Sequence, residues 1–355
     1  MHGVQTDNMH TRIYCGGHEY EYGYIPDGYR YVLLVVHGFI ADGSSWSVLS
    51  GVLGSAWVIC APDIHPASPD GASFDSLARE IHSLVDDVFS VYGVAPYIYG
   101  YSFGGRLVCE VLMRYPQLNV SGVCLESAGL GSVSVEEKEL YRQRAHEWST
   151  HFGYMDDAGK FYAYDPYEYI TWWKSLSLFE SQKTLPPAVL AAQQSMREGV
   201  PAISLYMLTL YAGVHMMHTA EEHKNNLISL VFSGIPLMYI YGSLDTKYAG
   251  VAKDLASRID AYGMLTLNKE NNRQPTDDYV HSLPSMMVFG GEREGIKEKF
   301  HHAQGIFTSA NTKEKSIRSL SFVLACCDNA GHNVHLENPE YVANVLHKFA
   351  CVWPH

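Results

Sequence analysis

The chain has 355 residues, 47% of them hydrophobic, and a formal net charge of −13. That length accommodates one large core, or a core with a cap, and falls short of three ordinary domains. The negative balance disfavours nucleic-acid binding, but leaves an anionic small molecule open wherever inward-pointing arginines reverse the local potential.

The opening MHGVQTDNMHTRIYCGG lacks a basic start followed by an apolar core, so no secretory signal is expected there. The tyrosine-rich HEYEYGYIPDGYRY at 18–31 reads as an edge hairpin. YRYVLLVVHGF at 29–39 is the first strong buried strand, SSWSVLSGVLG a short helix, and SAWVICAPD at 55–63 a second strand. In SFDSLAREIHSLVDDVFSVYG at 73–93, Leu77, Ile81, Leu84, Val85 and Val88 share one helical face. Ser or Asp near its start and Gly93 at its end fit the usual caps. A strand at 95–99, a helix from about Phe103 to Tyr115 and a strand at 121–127 continue an alternation typical of parallel βαβ units.

The alternation stops at Gly129. Residues 130–225 are helix-rich and aromatic, with no clear strand, and are expected to form a helical cap inserted into a core made of 1–129 and 226–355. Strand character returns in IPLMYIYG at 235–242, followed by a helix at about 249–262. Residues 263–318 are polar and irregular apart from SMMVFGG, and read as an insertion within the core. SLSFVLACC is the last strand and ENPEYVANVLHKFACVW the terminal helix. No run reaches the roughly 18 apolar residues that span a bilayer, so no integral membrane segment is expected and the cytoplasm is the expected location. The cysteines are odd in number and sit mostly in apolar runs such as AWVICAPD, as buried reduced thiols do.

Gly100-Tyr101-Ser102-Phe103-Gly104 follows a short apolar strand and opens a helix, the context a nucleophile elbow requires. The serine must perch on a strained turn, and side chains two residues either side would collide with the neighbouring strand and helix. The same turn aims the helix's first amides at the reacting oxygen. A serine hydroxyl needs a base and the base needs an orienting acid, which in this fold follow in the order Ser, Asp, His. IPLMYIYG leads directly to Asp245, and the last strand leads to His332, with His335 its main rival. Ser102, Asp245 and His332 are therefore the expected catalytic residues, and the backbone amides of Phe39 and Phe103 the expected oxyanion donors. His37 is expected to be structural. The expected architecture is an α/β-hydrolase fold: a mostly parallel central sheet flanked by helices, with the cap inserted.

Five segments carry a more specific likeness: HGFIADGSSW at 37–46, GYSFGGRL at 100–107, CLESAGLGSVSVEEKELYRQR at 124–144, WWKSLSLFESQKTLP at 172–186 and GHNVHLENPE at 331–340. In these the chain resembles the 2-succinyl-6-hydroxy-2,4-cyclohexadiene-1-carboxylate synthases, the pyruvate-eliminating lyases of menaquinone biosynthesis. The chain departs from that family at PDIHPASPDG (62–71), at LYMLTLYAGV (205–214) and in the long separation of Asp245 from His332. The resemblance implies that Ser102, activated by His332, removes a proton from the substrate without forming an acyl-enzyme. It also implies cationic contacts to an anionic small-molecule substrate. Arg106 is the first candidate, because a cation in a helix's first turn is unfavourable unless an anion is near. Arg144 and Arg142 come next, and Tyr101, Trp173, Phe179 and Arg197 are further candidates for the pocket lining. A hydrolase of the same fold, acting on esters or carbon–carbon bonds through an acyl-enzyme at Ser102, is the alternative. No cofactor is expected. The histidines of HMMHTAEEH at 215–223 have spacings loosely compatible with one helical face, but no acidic or thiol partner completes a metal site, so a polar cap helix is expected there.

Overall fold

The apolar runs of the sequence become strands of one ten-stranded sheet. The computed structural model describes residues 9–270, 285–289, 300–301, 305–307, 316–318 and 321–352. Part of the opening segment read for a leader, and most of the polar 263–318 stretch, lie outside the described residues.

The chain enters through β1 Thr11–Cys15 and β2 His18–Tyr20, an antiparallel hairpin at the sheet edge. This hairpin lies earlier than HEYEYGYIPDGYRY suggests, because Gly16 and Gly17, at φ 57° and 82°, supply its left-handed turn. Then follow β3 Tyr31–Val36, α1 Ser47–Leu53, β4 Trp57–Pro62, α2 Pro69–Ala72 and α3 Phe74–Tyr92. The Ser73 side chain accepts the amide of Ser76 at the start of α3, and Gly93 ends the helix at φ 72°, so both expected caps are in place. Next come β5 Tyr97–Tyr101, α4 Phe103–Arg114 and β6 Gly122–Glu126.

Between β6 and the next strand of the sheet lie α5 Val135–Ser149, a hairpin of β7 Gly153–Met155 and β8 Phe161–Ala163, and α6 Pro166–Ser175. They continue through α7 Pro187–Gly199, α8 Ala202–Tyr211 and α9 Ala220–Phe232. The hairpin was not expected from sequence. Its strands are too short to display alternation, and its turn is held by the Asp156 carboxylate, which accepts the amides of Ala158 and Lys160. This segment has a core of its own, in which Phe152, Tyr169, Ile170, Trp173 and Val200 pack with Ile40 from the loop after β3.

The sheet resumes with β9 Leu237–Gly242, followed by α10 Thr246–Glu270, longer than expected. Within the polar stretch, β10 Ser285–Phe289 coincides with SMMVF and joins the main sheet, bordered by β11 Phe300–His301. β12 Gly305–Phe307 and β13 Ser316–Arg318 form a separate pair. β14 Ser321–Cys327, α11 Val334–Glu337 and α12 Pro339–Val352 complete the described chain. The order across the sheet is β11-β10-β14-β9-β6-β5-β3-β4-β1-β2, parallel from β10 through β4. Parallel strands are apolar on both faces and need cover on both. Leu77, Leu107, Ile228 and Leu255 from α3, α4, α9 and α10 cover one face, and Leu49 and Leu346 from α1 and α12 cover the other. Among the described residues no helix is long and apolar enough to cross a membrane.

One expectation is corrected here. The histidines of HMMHTAEEH do have an acidic partner: Glu110 of α4, fully buried, lies against both His218 and His223. Thr219, not a histidine, opens α9, in a capping box with Glu222. The partner comes from 108 residues away, so local spacing could not reveal it.

Candidate active site

Ser102 sits between β5 and α4 at φ 51° and ψ −107°, a strained conformation for a residue with a side chain. The flanking glycines permit it. A Cβ on Gly100 would lie 2.6 Å from the Gly104 carbonyl oxygen, and one on Gly104 would run into the Val36 carbonyl of β3. The elbow is thereby pressed against the sheet, and the serine is turned out from it.

Two loops at the same edge reach Ser102. Asp245 follows β9 and is 7% exposed; His332 follows β14 and is 1% exposed. The imidazole Nδ1 is 2.7 Å from Asp245 Oδ2, and Nε2 is 2.9 Å from Ser102 Oγ. The carboxylate holds the proton on Nδ1, so Nε2 faces the serine as an acceptor. The rings of Tyr248, Tyr101 and Phe179 surround the imidazole at centroid distances of 4.9, 5.4 and 6.0 Å.

His335, the rival in sequence, is held elsewhere. Its Nδ1 is 2.8 Å from Glu126 Oε2, its amide donates to Glu126 Oε1, and its ring stacks on Trp46. Glu126 ends β6 and also accepts the Tyr99 hydroxyl at 2.6 Å. His37 is a neutral strut, as expected: Nδ1 donates to the Gly38 carbonyl and Nε2 accepts the Ile64 amide. Burial, helped by His65, holds its pKa down to about 4.

Phe39 and Phe103 face one another across the approach to Ser102, with ring centroids 6.5 Å apart. Phe103 is the first residue of α4, so its amide is one of the donors a helix leaves unpaired at its start.

A cavity of about 460 Å³ opens beside Ser102, lined by Phe39, Phe103, Arg106, Arg144, Trp173 and Tyr248 among others. A small cleft on the other side of Ser102 and Trp173 is lined by Tyr101, Phe179 and Arg197. Arg106 stacks over the Phe103 ring at 5.4 Å, and Arg197 over Phe179 at 5.9 Å. Burial lowers the pKa of both guanidiniums, opposed by Tyr248 and Tyr141 at Arg106 and by Tyr101 at Arg197, with no carboxylate among the described residues contributing to either. Arg197 is 6% exposed, and its Nε has no hydrogen-bond partner. Burying a charge without a counter-charge is costly, fully so at buried Arg197 and in part at half-buried Arg106, so both sites favour an anion.

Among the other expected arginines, Arg144 is exposed at the cavity rim. Arg142 lies on the solvent side of α5, bonded through Nη2 and Nε to Glu139 at 2.7 and 2.8 Å, and does not line the cavity. Sequence reasoning missed Tyr248 and Tyr141. Tyr248 had a findable signal: it follows Asp245 by three residues at the start of α10, a spacing that shares one helix side. Its phenol is pushed up to about 12 by burial, with Arg106 opposing, so Tyr248 lines the cavity as a protonated phenol.

Comparison with known proteins agrees with this architecture. The model of the alpha/beta hydrolase family matches residues 32–345. A protein of Bacillus subtilis (strain 168), provisionally named 2-succinyl-6-hydroxy-2,4-cyclohexadiene-1-carboxylate synthase, is 27% identical over 249 residues, covering 65% of this chain and 84% of its own length. The solved structure of MenH from S. aureus aligns with a TM-score of 0.65 at 15% identity, over 98% of this chain and 99% of that one. A malate-bound thermophilic esterase from Thermogutta terrifontis aligns at 0.58 and 13% identity, over 99% and 97%. At such identities the two structures speak for a shared fold.

Proposed function

The chain belongs to the alpha/beta hydrolase family, and from that membership we propose that it is the lyase that eliminates pyruvate from 2-succinyl-5-enolpyruvyl-6-hydroxy-3-cyclohexene-1-carboxylate in menaquinone biosynthesis. The observation that carries this reading is the pair of guanidiniums, half-buried Arg106 and buried Arg197, without a carboxylate partner among the described residues, in the two clefts that meet at Ser102. A substrate with several carboxylates compensates both charges; a simple ester compensates neither. The name of the Bacillus subtilis relative supports the same chemistry.

In this mechanism Asp245 orients His332, and His332 Nε2 takes the Ser102 proton as Ser102 Oγ removes a proton from the ring carbon beside the succinyl ketone. The amides of Phe39 and Phe103 hold the enolate oxygen that forms. The electron pair returns through the ring, breaks the carbon–oxygen bond to the enolpyruvyl group and leaves the cyclohexadiene. The expelled enolate recovers the proton from the imidazolium and becomes pyruvate. No acyl-enzyme forms.

The second reading is a hydrolase that uses Ser102 as a nucleophile; the strained serine and helix-start amides serve that chemistry equally well. Pyruvate release from the enolpyruvyl substrate, set against turnover of a nitrophenyl ester, separates the two. Ester turnover without pyruvate release removes the lyase.

Arg106→Ala is expected to raise KM for the anionic substrate about 10- to 100-fold, the range of one lost charge-assisted bond. KM for a neutral ester should stay unchanged. Equal KM values for the anionic substrate in the two proteins would move the anion site away from α4.

A further inference from the structure

A second cluster of chemistry-bearing side chains lies along α4, away from the cavity. Glu110 stands eight residues beyond Ser102, about 12 Å along the helix axis. Among the described residues, it gathers with His218 and His223 so that one ligand atom from each falls within 4.8 Å of the others. Glu110 is 0% exposed and His223 1%, while the His218 side chain is 36% exposed and opens the cluster to solvent.

The hydrogen bonds leave a gap between two acceptors. His223 Nδ1 is 2.9 Å from the Leu130 carbonyl oxygen, so Nδ1 carries the hydrogen and Nε2 presents a lone pair. That Nε2 is buried, has no hydrogen-bond partner, and lies 3.3 Å from Glu110 Oε1. Two lone pairs facing one another at that distance repel unless a proton or a metal ion lies between them. A histidine whose far ring nitrogen donates to a backbone carbonyl is the usual orientation of a metal-binding imidazole. In a tetrahedral zinc site, neighbouring nitrogen and oxygen ligands stand about 3.3 Å apart.

The remaining contacts are compatible with a third ligand. Glu110 Oε1 accepts the His218 amide at 2.7 Å and Oε2 accepts from His218 Nδ1 at 2.8 Å, which leaves Nε2 as the nitrogen through which His218 would ligate. Arg114 also reaches Oε2, but is anchored independently through Nε to Asp75.

We propose that Glu110, His218 and His223 bind a divalent transition-metal ion of the zinc type, with solvent in the fourth position. The ion clamps α4, the helix that begins at Ser102, to the segment that enters α9. Neither histidine lines the cavity, so this assignment stands or falls independently of the lyase reading.

The test uses the full chain, stripped with a chelator and titrated with zinc chloride alone. Metal content after gel filtration and thermal melting are the readouts. One zinc per chain and a rise in Tm of about 5 °C at a hundredfold excess over Kd are expected. His218→Ala, at the solvent-facing ligand, should fold normally and bind zinc at least about tenfold more weakly; Glu110→Gln should lose the Tm rise. The proposal is overturned if zinc leaves Tm and metal content unchanged in the unaltered chain. It is equally overturned if both variants retain zinc as tightly as the unaltered chain, since the metal then sits on other residues.

Discussion

Replacing Ser102 by alanine is expected to reduce turnover at least about a thousand-fold while the protein still folds. The hydroxyl is the atom between His332 Nε2 and any substrate in the cavity, and no other described side chain holds an exchangeable proton on that nitrogen. The stability cost is small, because the bond lost is one partly solvated hydrogen bond worth about 1 kcal/mol. Ser102→Gly separates function from conformation. At φ 51° and ψ −107° a glycine is unstrained, so this variant should be as inactive as alanine but melt at a higher temperature. Retention of more than a tenth of the activity in either variant removes Ser102 from the chemistry. A glycine variant less stable than alanine would mean that the turn stores no strain.

Gly104→Ala should be the most damaging single methyl in the described structure. The new Cβ would meet the Val36 carbonyl of β3 and the His37 carbonyl beside it, which are backbone atoms that cannot swing aside. Relief requires α4 to lift from the sheet, which opens the packing of Leu107 and Val108 and displaces the Phe103 amide from the serine. Overpacking of this kind costs about 3 kcal/mol or more, a fall in Tm of at least about 5 °C for a chain of this size. Activity should fall further than stability alone accounts for, since the elbow is deformed even in molecules that remain folded. A variant with unaltered Tm would contradict the close approach of helix and strand. Gly93→Ala is the control: nothing lies within 4 Å of a Cβ there, and only the left-handed φ of 72° opposes it, so it should cost about 1 kcal/mol.

Much of the fold was legible because its signals are short-ranged. The strands of the parallel sheet are continuous apolar runs, and α3 runs between Ser73 and Gly93 as its caps dictate. The β7–β8 hairpin was invisible because three-residue strands carry no periodicity and its turn depends on one carboxylate, Asp156. The entry hairpin lies ahead of the tyrosine-rich run because the pair Gly16 and Gly17, both at positive φ, turns the chain there.

The sequence by itself determined the elbow, since glycine spacing, strand and helix all lie within about a dozen residues. It also determined the chain order of serine, carboxylate and imidazole. Which charged groups find partners was decided only by tertiary structure. Glu126 captures His335 across 209 residues and leaves His332 to the serine. Glu139 occupies Arg142, while no described carboxylate pairs with half-buried Arg106 or buried Arg197. Glu110 meets two histidines that follow it by more than a hundred residues. Local spacing sets where a side chain points along its own helix or strand, but electrostatic pairing depends on what the fold brings to the other side, and dehydration then decides which unpaired charge demands a ligand.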